Sequence, residues 1–168
     1  MTNWPVLRSL NLARNRIAAE SLDAVLGRRP PPLVCSSLTA LDLSSNGLTA
    51  FPASLEALKC LSKLNLSFNS IRESRFDDVL FDALDQLTDL DVSQNKLSKL
   101  PEAVVFLPKL DALNIENNDI RDVPPELGAH PTLRTLLIMG NPQRVIRQAV
   151  VRSGSAAVLE ALAKRLPA

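Results

Sequence analysis

The chain has 168 residues, 46% of them hydrophobic but only 4% aromatic, with Tyr absent, so one domain's worth of chain must build an aliphatic core. The 19 Lys and Arg against 18 Asp and Glu leave a net charge of +1, which excludes a global field drawing the protein to nucleic acid or anionic lipid. Two cysteines, Cys35 and Cys60, exclude a disulfide-dense secreted scaffold, and no apolar run approaches the ~20 residues of a membrane-spanning helix.

The start, Met1-Thr2-Asn3-Trp4-Pro5, lacks the basic opening and apolar run of a signal peptide, so a reducing, cytoplasmic setting is expected. From Leu7 onward the string L-x-x-L-x-L-x-x-N-x-L recurs. Its copies run Leu7, Leu10, Leu12, Asn15, Ile17, then Leu38, Leu41, Leu43, Asn46, Leu48, then Leu61, Leu64, Leu66, Asn69, Ile71. They continue as Leu87, Leu90, Val92, Asn95, Leu97, then Leu110, Leu113, Ile115, Asn118, Ile120, and end with Leu133, Leu136, Ile138, Asn141 before Pro142. The asparagines are 31, 23, 26, 23 and 23 residues apart. Each copy predicts one short strand whose L-x-L residues point inward by the two-residue period. One turn of chain cannot bury its own apolar face, so the turns stack. The asparagine falls where the chain bends, and its amide is expected to bond backbone groups of its own and neighbouring turns.

Between the strands, Phe51-Pro52, Leu100-Pro101 and Val123-Pro124 predict short, tightly turned returns. The first and third returns are longer and read as helical. Ser21 to Leu26 is expected to end at a Gly27 cap, and Ser74-x-x-Asp77 resembles a capping box before Val79, Leu80, Phe81 and Leu84. Arg28-Arg29-Pro30-Pro31-Pro32 reads as a solvated loop. Beyond Asn141 the repeat stops, and two amphipathic helices are expected at 143–152 and 155–165, broken at Ser153-Gly154 with Ser155 as N-cap. Val145, Ile146, Ala149, Val150, Val158, Leu159 and Leu162 should cover the last turn. Ahead of the first repeat stands only Trp4, which either closes the core alone or follows further repeats. The expected organisation is one domain over 1–168, with repeats at 1–142 and a helical cap at 143–168.

These motifs identify the chain as a member of the leucine-rich-repeat family, and the L-x-x-L-P-x-x-L returns resemble the intracellular Ras-suppressor-type class. The helical first and third returns look more like ribonuclease-inhibitor-type repeats, and His130 stands where leucine is usual. The resemblance implies an α/β fold: a right-handed horseshoe of six repeats with a parallel sheet on its concave side, used to bind proteins.

Chemistry finds little to stand on. His130 is the only histidine, which excludes multi-histidine metal sites, and its place in a core column beside Pro131 argues against Ser-His-Asp and Cys-His arrangements; no phosphate-binding glycine motif exists. No catalytic residue, cofactor or metal is expected. Outward positions of the strands are Arg8, Ser9, Asn11, Ala13 and Arg14 in the first copy and their counterparts later, including Ser44, Ser67 and Ser93. Among them Asp42, Asn65, Phe68, Asp89, Asp91, Asn114, Glu116, Leu137 and Met139 are the candidate protein-binding residues: an acidic centre, one aromatic anchor and an apolar patch. The partner implied is a protein of basic or mixed charge, with no nucleic acid expected, and the chain is a monomer or a weak dimer through its N-terminal end. Two alternatives stay open: a nucleic-acid or membrane-surface binder acting through Arg144, Arg147, Arg152, Lys164 and Arg165 of the cap, or the structural end-piece of a longer array.

Overall fold

The centre of each motif copy becomes a three-residue strand: β1 (Ser9–Asn11), β2 (Ala40–Asp42), β3 (Lys63–Asn65), β4 (Asp89–Asp91), β5 (Ala112–Asn114) and β6 (Thr135–Leu137). They form one parallel sheet in chain order. Its register aligns Leu10, Leu41, Leu64, Leu90, Leu113 and Leu136, the second leucine of every copy. This computed structural model describes residues 7–26, 36–72 and 77–166. Trp4, Gly27, Cys35, Ser74 and the Arg28–Pro32 loop lie outside the described residues.

Strands this short persist because other groups extend their hydrogen bonding. Asn118 shows how. Its Nδ2 donates to the carbonyls of Val92 (2.9 Å), Ile115 (3.2 Å) and Glu116 (3.3 Å), and its Oδ1 accepts the Leu97 N–H at 3.0 Å. Asn46, Asn69, Asn95 and Asn141 likewise bridge their own turn to the preceding one. The expected ladder is present from the second repeat onward. Asn15 is exposed, and among the described residues its side chain reaches only Ala13 O.

On the opposite edge the returns differ as their sequences do. The first and third are helical, α1 (Ala19–Leu26) and α2 (Asp77–Asp82). The proline-containing returns hold a 3-10 helix at Ala53–Ala57, the single turn α3 (Glu102–Val105), and a 3-10 helix at Pro125–Ala129. Proline presets extended backbone before each (φ −65°, −55° and −56°). Between the layers lies a continuous aliphatic core from Leu22 to Leu162, stiffened by Phe51 edge-on to Phe81 at 5.1 Å. The first turn is the least covered. Leu10, Leu12 and Ile17 are half-buried where their later counterparts are buried, and Leu7 and Val25 are exposed.

The cap departs from expectation in three ways. Helix α4 spans only Gln148–Arg152. The segment before it is held instead by the buried Gln143 side chain, which accepts the Ile146 N–H at 3.0 Å and donates to Ile146 O at 3.3 Å. Starting five residues late changes the helix's phase, so Val151 is buried and Ala149 faces outward. Finally, Ser155 is the first residue of α5 (Ser155–Ala163), and its hydroxyl does not cap that helix. It accepts the Leu136 N–H at 3.0 Å and donates to Leu136 O at 3.1 Å. The free edge of β6 is thereby closed by one side chain.

Helix α5 packs against the 3-10 helix at Pro125–Ala129 with Gly128 at the contact. A Cβ on Gly128 would overlap Ala163 N and stand 2.6 Å from Leu159 O. Backbone cannot yield as a flexible side chain would. Gly128→Ala therefore lowers stability by about 1–3 kcal/mol through overpacking, read as an earlier urea midpoint. Gly154→Ala has nothing within 4 Å of its added Cβ, so any cost there comes from its φ of +96° alone. Equal stability of Gly128→Ala and the parent protein would refute the close docking of α5.

Candidate binding surface

Alternation along each strand sends its middle residue into the core and the two flanking residues to the opposite face. Two columns result: Ser9, Ala40, Lys63, Asp89, Ala112, Thr135, and Asn11, Asp42, Asn65, Asp91, Asn114, Leu137. Together they line a groove of about 500 Å³.

Five residues of the second column are Asn or Asp, and each Oδ1 turns back on its own chain. Asn11, Asp42, Asn65, Asp91 and Asn114 accept the N–H of Ala13, Ser44, Ser67, Ser93 and Glu116 at 2.8–3.1 Å. These Asx turns end the first five strands. Asp42, Asn65, Asp91 and Asn114, expected as contact residues, thus serve the fold with one polar atom and keep the other outward. Asp91 Oδ2 and Asn114 Nδ2 also meet each other at 3.2 Å.

One residue before each ladder asparagine the backbone turns left-handed, with φ of 53° to 76° at Arg14, Ser45, Phe68, Gln94, Asn117 and Gly140. Side chains rarely adopt this conformation, and here the ladder and the Asx turn on either side hold it. Phe68 belongs to this column. It is 59% exposed, but stands past the end of β3 and does not line the groove. Glu116 and Met139 also lie beyond the strand ends, outside the groove. Asp42, Asn65, Asp89, Asp91, Asn114 and Leu137 are the candidates that the fold gathers into it. Ser67 and Ser93, expected to face solvent, are 5% and 7% exposed, because the turn folds over them.

Charges in the groove partly pair. Lys63 Nζ stands 3.6 Å from Asp89 Oδ2, which also accepts the Thr88 hydroxyl at 2.7 Å, and Arg134 reaches Asp111 at 2.8 Å beside it. All are solvent-exposed ion pairs and contribute little to stability. Asp42, Asp91 and Glu116 have no cationic partner among the described residues. Lys63 was missed as a site residue; its place opposite Asp89 follows from the 26-residue third repeat setting the register. Also missed was Phe106, 64% exposed at the end of α3. Val104 and Leu107 take the core positions there, which forces Phe106 outward.

Elsewhere the polar groups are accounted for structurally. His130 is half-buried, with Nε2 3.0 Å from Leu107 O and Nδ1 accepting the Leu133 N–H at 3.1 Å. The imidazole replaces a leucine by tying two turns together. On α5, the Glu160 carboxyl is held below its ordinary range by the hydrogen bond and charge of Lys164, so this lysine does not add to the cap's free positive charge. Among the described residues no group of three or more His, Cys, Asp or Glu could hold a metal ion, and no helix is long and apolar enough to cross a membrane.

Comparison with known proteins places this geometry. Two leucine-rich-repeat models match, one at residues 74–120 and the other at 5–26 and 34–50. Among solved structures the chain is similar to a TDR receptor (26% identity, TM-score 0.62), covering 80% of this chain and 22% of that one. It is also similar to the LRR ectodomain of the receptor kinase SOBIR1 from Arabidopsis thaliana, at 30% identity and TM-score 0.54, over 67% of this chain and 62% of that one. The BIR2 ectodomain from Arabidopsis thaliana matches at 26% identity and TM-score 0.60, over 87% of this chain and 72% of that one. The chain thus spans less than two thirds of the first two structures it resembles.

Proposed function

The chain belongs to the leucine-rich-repeat family, and on that premise we propose that it is a non-catalytic protein-interaction module that receives its partner on the concave sheet. The observation that supports this reading is the groove itself. It is lined by half-exposed polar side chains and carries Asp42 and Asp91, with Glu116 beyond its strand end, carboxylates that have no cationic partner among the described residues, and exposed Phe68, Leu137 and Met139 lie toward its rim. Apolar anchors within a charged surround are how interfaces combine affinity with orientation. The partner fitting it carries a basic or mixed-charge segment and a pocket for Phe68.

Affinity capture followed by mutation tests this. Phe68→Ala is expected to weaken binding by about 1–3 kcal/mol, mostly through faster dissociation. Asp91→Asn removes charge while keeping the Oδ1 acceptor of its Asx turn, so it should slow association and flatten its salt dependence without loss of fold. Normal binding by both variants, with Arg147→Glu abolishing it, would move the interface to the cap and defeat the proposal.

The finer family reading belongs here as well. The 23-residue returns resemble the Ras-suppressor-type class, and the segment from Leu136 through Gly154 to Arg165 resembles the C-terminal end of leucine-rich-repeat-containing protein 40. A reducing, cytoplasmic setting is part of this proposal, supported by a cysteine count too low for a disulfide-dense scaffold and unlike the setting of the two ectodomains above. The protein acts as a monomer or a weak dimer through the first turn, where Leu7 and Val25 are exposed.

A further inference from the structure

Three segments far apart in sequence bring arginines to one place. Arg121 follows the fifth repeat, Arg144 lies between β6 and α4, and Arg165 follows α5. With Asp122, Pro142 and Val145 they line a cleft of about 650 Å³ between the last return and the cap. We infer that this cleft binds the phosphate of a phosphorylated serine or threonine on a partner protein.

The chemistry argues for a single dianion. Three guanidinium groups against the Asp122 carboxylate leave a local charge of +2 (3 − 1), matching the ≈ −1.5 to −2 of a phosphomonoester near neutral pH. Three arginines also suit three terminal oxygens, where a carboxylate offers two. Arg165 is already oriented, since its Nη1 donates to Val145 O at 3.1 Å and its other N–H groups stay available. The side chains of Arg121 and Arg144 have no acidic or hydrogen-bonding partner among the described residues. Two exposed arginines without partners among the described residues, beside a third already oriented, suit the recognition of an isolated phosphate.

A broad polyanion fits poorly. Asp119, Asp122 and Glu126 are all exposed along the same return as Arg121, so a bilayer or a nucleic-acid backbone laid across the cleft meets repulsion on one side. A phosphate carried on one side chain enters between these groups. Pro142 and Val145 offer an apolar wall to the chain that bears it.

The test titrates the whole chain with an otherwise uncharged pentapeptide carrying phosphoserine, and with its serine twin. Arginine side-chain NMR signals and calorimetry serve as the readouts. The phosphopeptide alone is expected to bind and to shift the Nε–H signals of Arg121, Arg144 and Arg165. Binding should tighten several-fold as pH rises through about 6, where the phosphate takes its second charge. Arg144 is exposed and unbonded, so Arg144→Ala keeps the fold, and it should weaken binding about tenfold by removing a charge-assisted contact. Arg147→Ala, an exposed arginine outside the cleft, should leave it within about twofold. Equal binding of both peptides, or equal effects of the two substitutions, would overturn the assignment. So would phosphoinositide-containing vesicles that bind in an Arg144-dependent way while the phosphopeptide does not.

Discussion

Leu113→Ala is expected to lower the unfolding free energy by about 2–5 kcal/mol, the combined cost of lost burial and of the cavity left behind. Leu113 is fully buried at the centre of β5, in register with Leu90 on one side and Leu136 on the other. Its side chain fills the space between two neighbouring turns as well as its own. Stacked turns share their core only with adjacent turns, so the loss weakens two interfaces at once and neither can collapse without bending the sheet. Urea unfolding followed by circular dichroism measures it. The matched control is Ser93→Ala, whose hydroxyl has no hydrogen bond among those observed, and which should change stability by less than about 0.5 kcal/mol. An unchanged midpoint for Leu113→Ala would mean that the sheet register is wrong.

Asn118→Ala should cost about 3–4 kcal/mol by a different mechanism. The amide satisfies three carbonyls and one N–H, two of these groups on neighbouring turns. Removing it leaves the buried Leu97 N–H without an acceptor, at about 1–3 kcal/mol, and takes one donor from each of the Val92, Ile115 and Glu116 carbonyls, which keep Asn95 Nδ2, Asn141 Nδ2 and the Gln94 N–H. The first ladder residue supplies the contrast. Asn15 is exposed and, among the described residues, its side chain bonds only Ala13 O, so Asn15→Ala should cost less than about 1 kcal/mol. The two residues occupy the same motif position, and a similar cost for both would refute the ladder as the source of the effect. Native-state hydrogen exchange should show the Asn118→Ala loss at the Leu97 amide in particular, since that N–H has lost its acceptor.

The arginine cleft and the groove can be separated in one set of proteins. Phe68→Ala lies outside the cleft and Arg144→Ala outside the groove, so each should affect one ligand and spare the other. A partner that loses affinity with both substitutions would contact the concave rim and the cap together, and its phosphorylation would then tune that contact.

What the sequence determined by itself is the repeating frame. A leucine two residues from another, and an asparagine three residues beyond, act within one turn of chain. Their spacing therefore states which side chains enter the core, where each strand sits and where the ladder runs, and the aligned leucines of all six strands follow from it. Prolines in the returns set backbone angles locally, so the short 3-10 and single-turn segments were legible too.

Tertiary structure decided the features that depend on a neighbour about 20 or more residues away. Ser155 reads as a helix cap, yet its hydroxyl serves the unpaired edge of β6, because an open strand offers both a donor and an acceptor and a helix end offers only donors. Gln143 displaced the start of α4, and with it the choice of Val151 over Ala149 for the core. The candidate site split for the same reason. Asp42, Asn65, Asp91 and Asn114 were visible as outward residues, but their shared use in Asx turns depends on backbone geometry at the strand ends. Phe68 was visible as exposed, while its place on the rim depends on a left-handed turn held by the ladder. Arg121, Arg144 and Arg165 carry no motif. Only the docking of α5 on Gly128, a backbone contact that tolerates no side chain, brings them to one cleft.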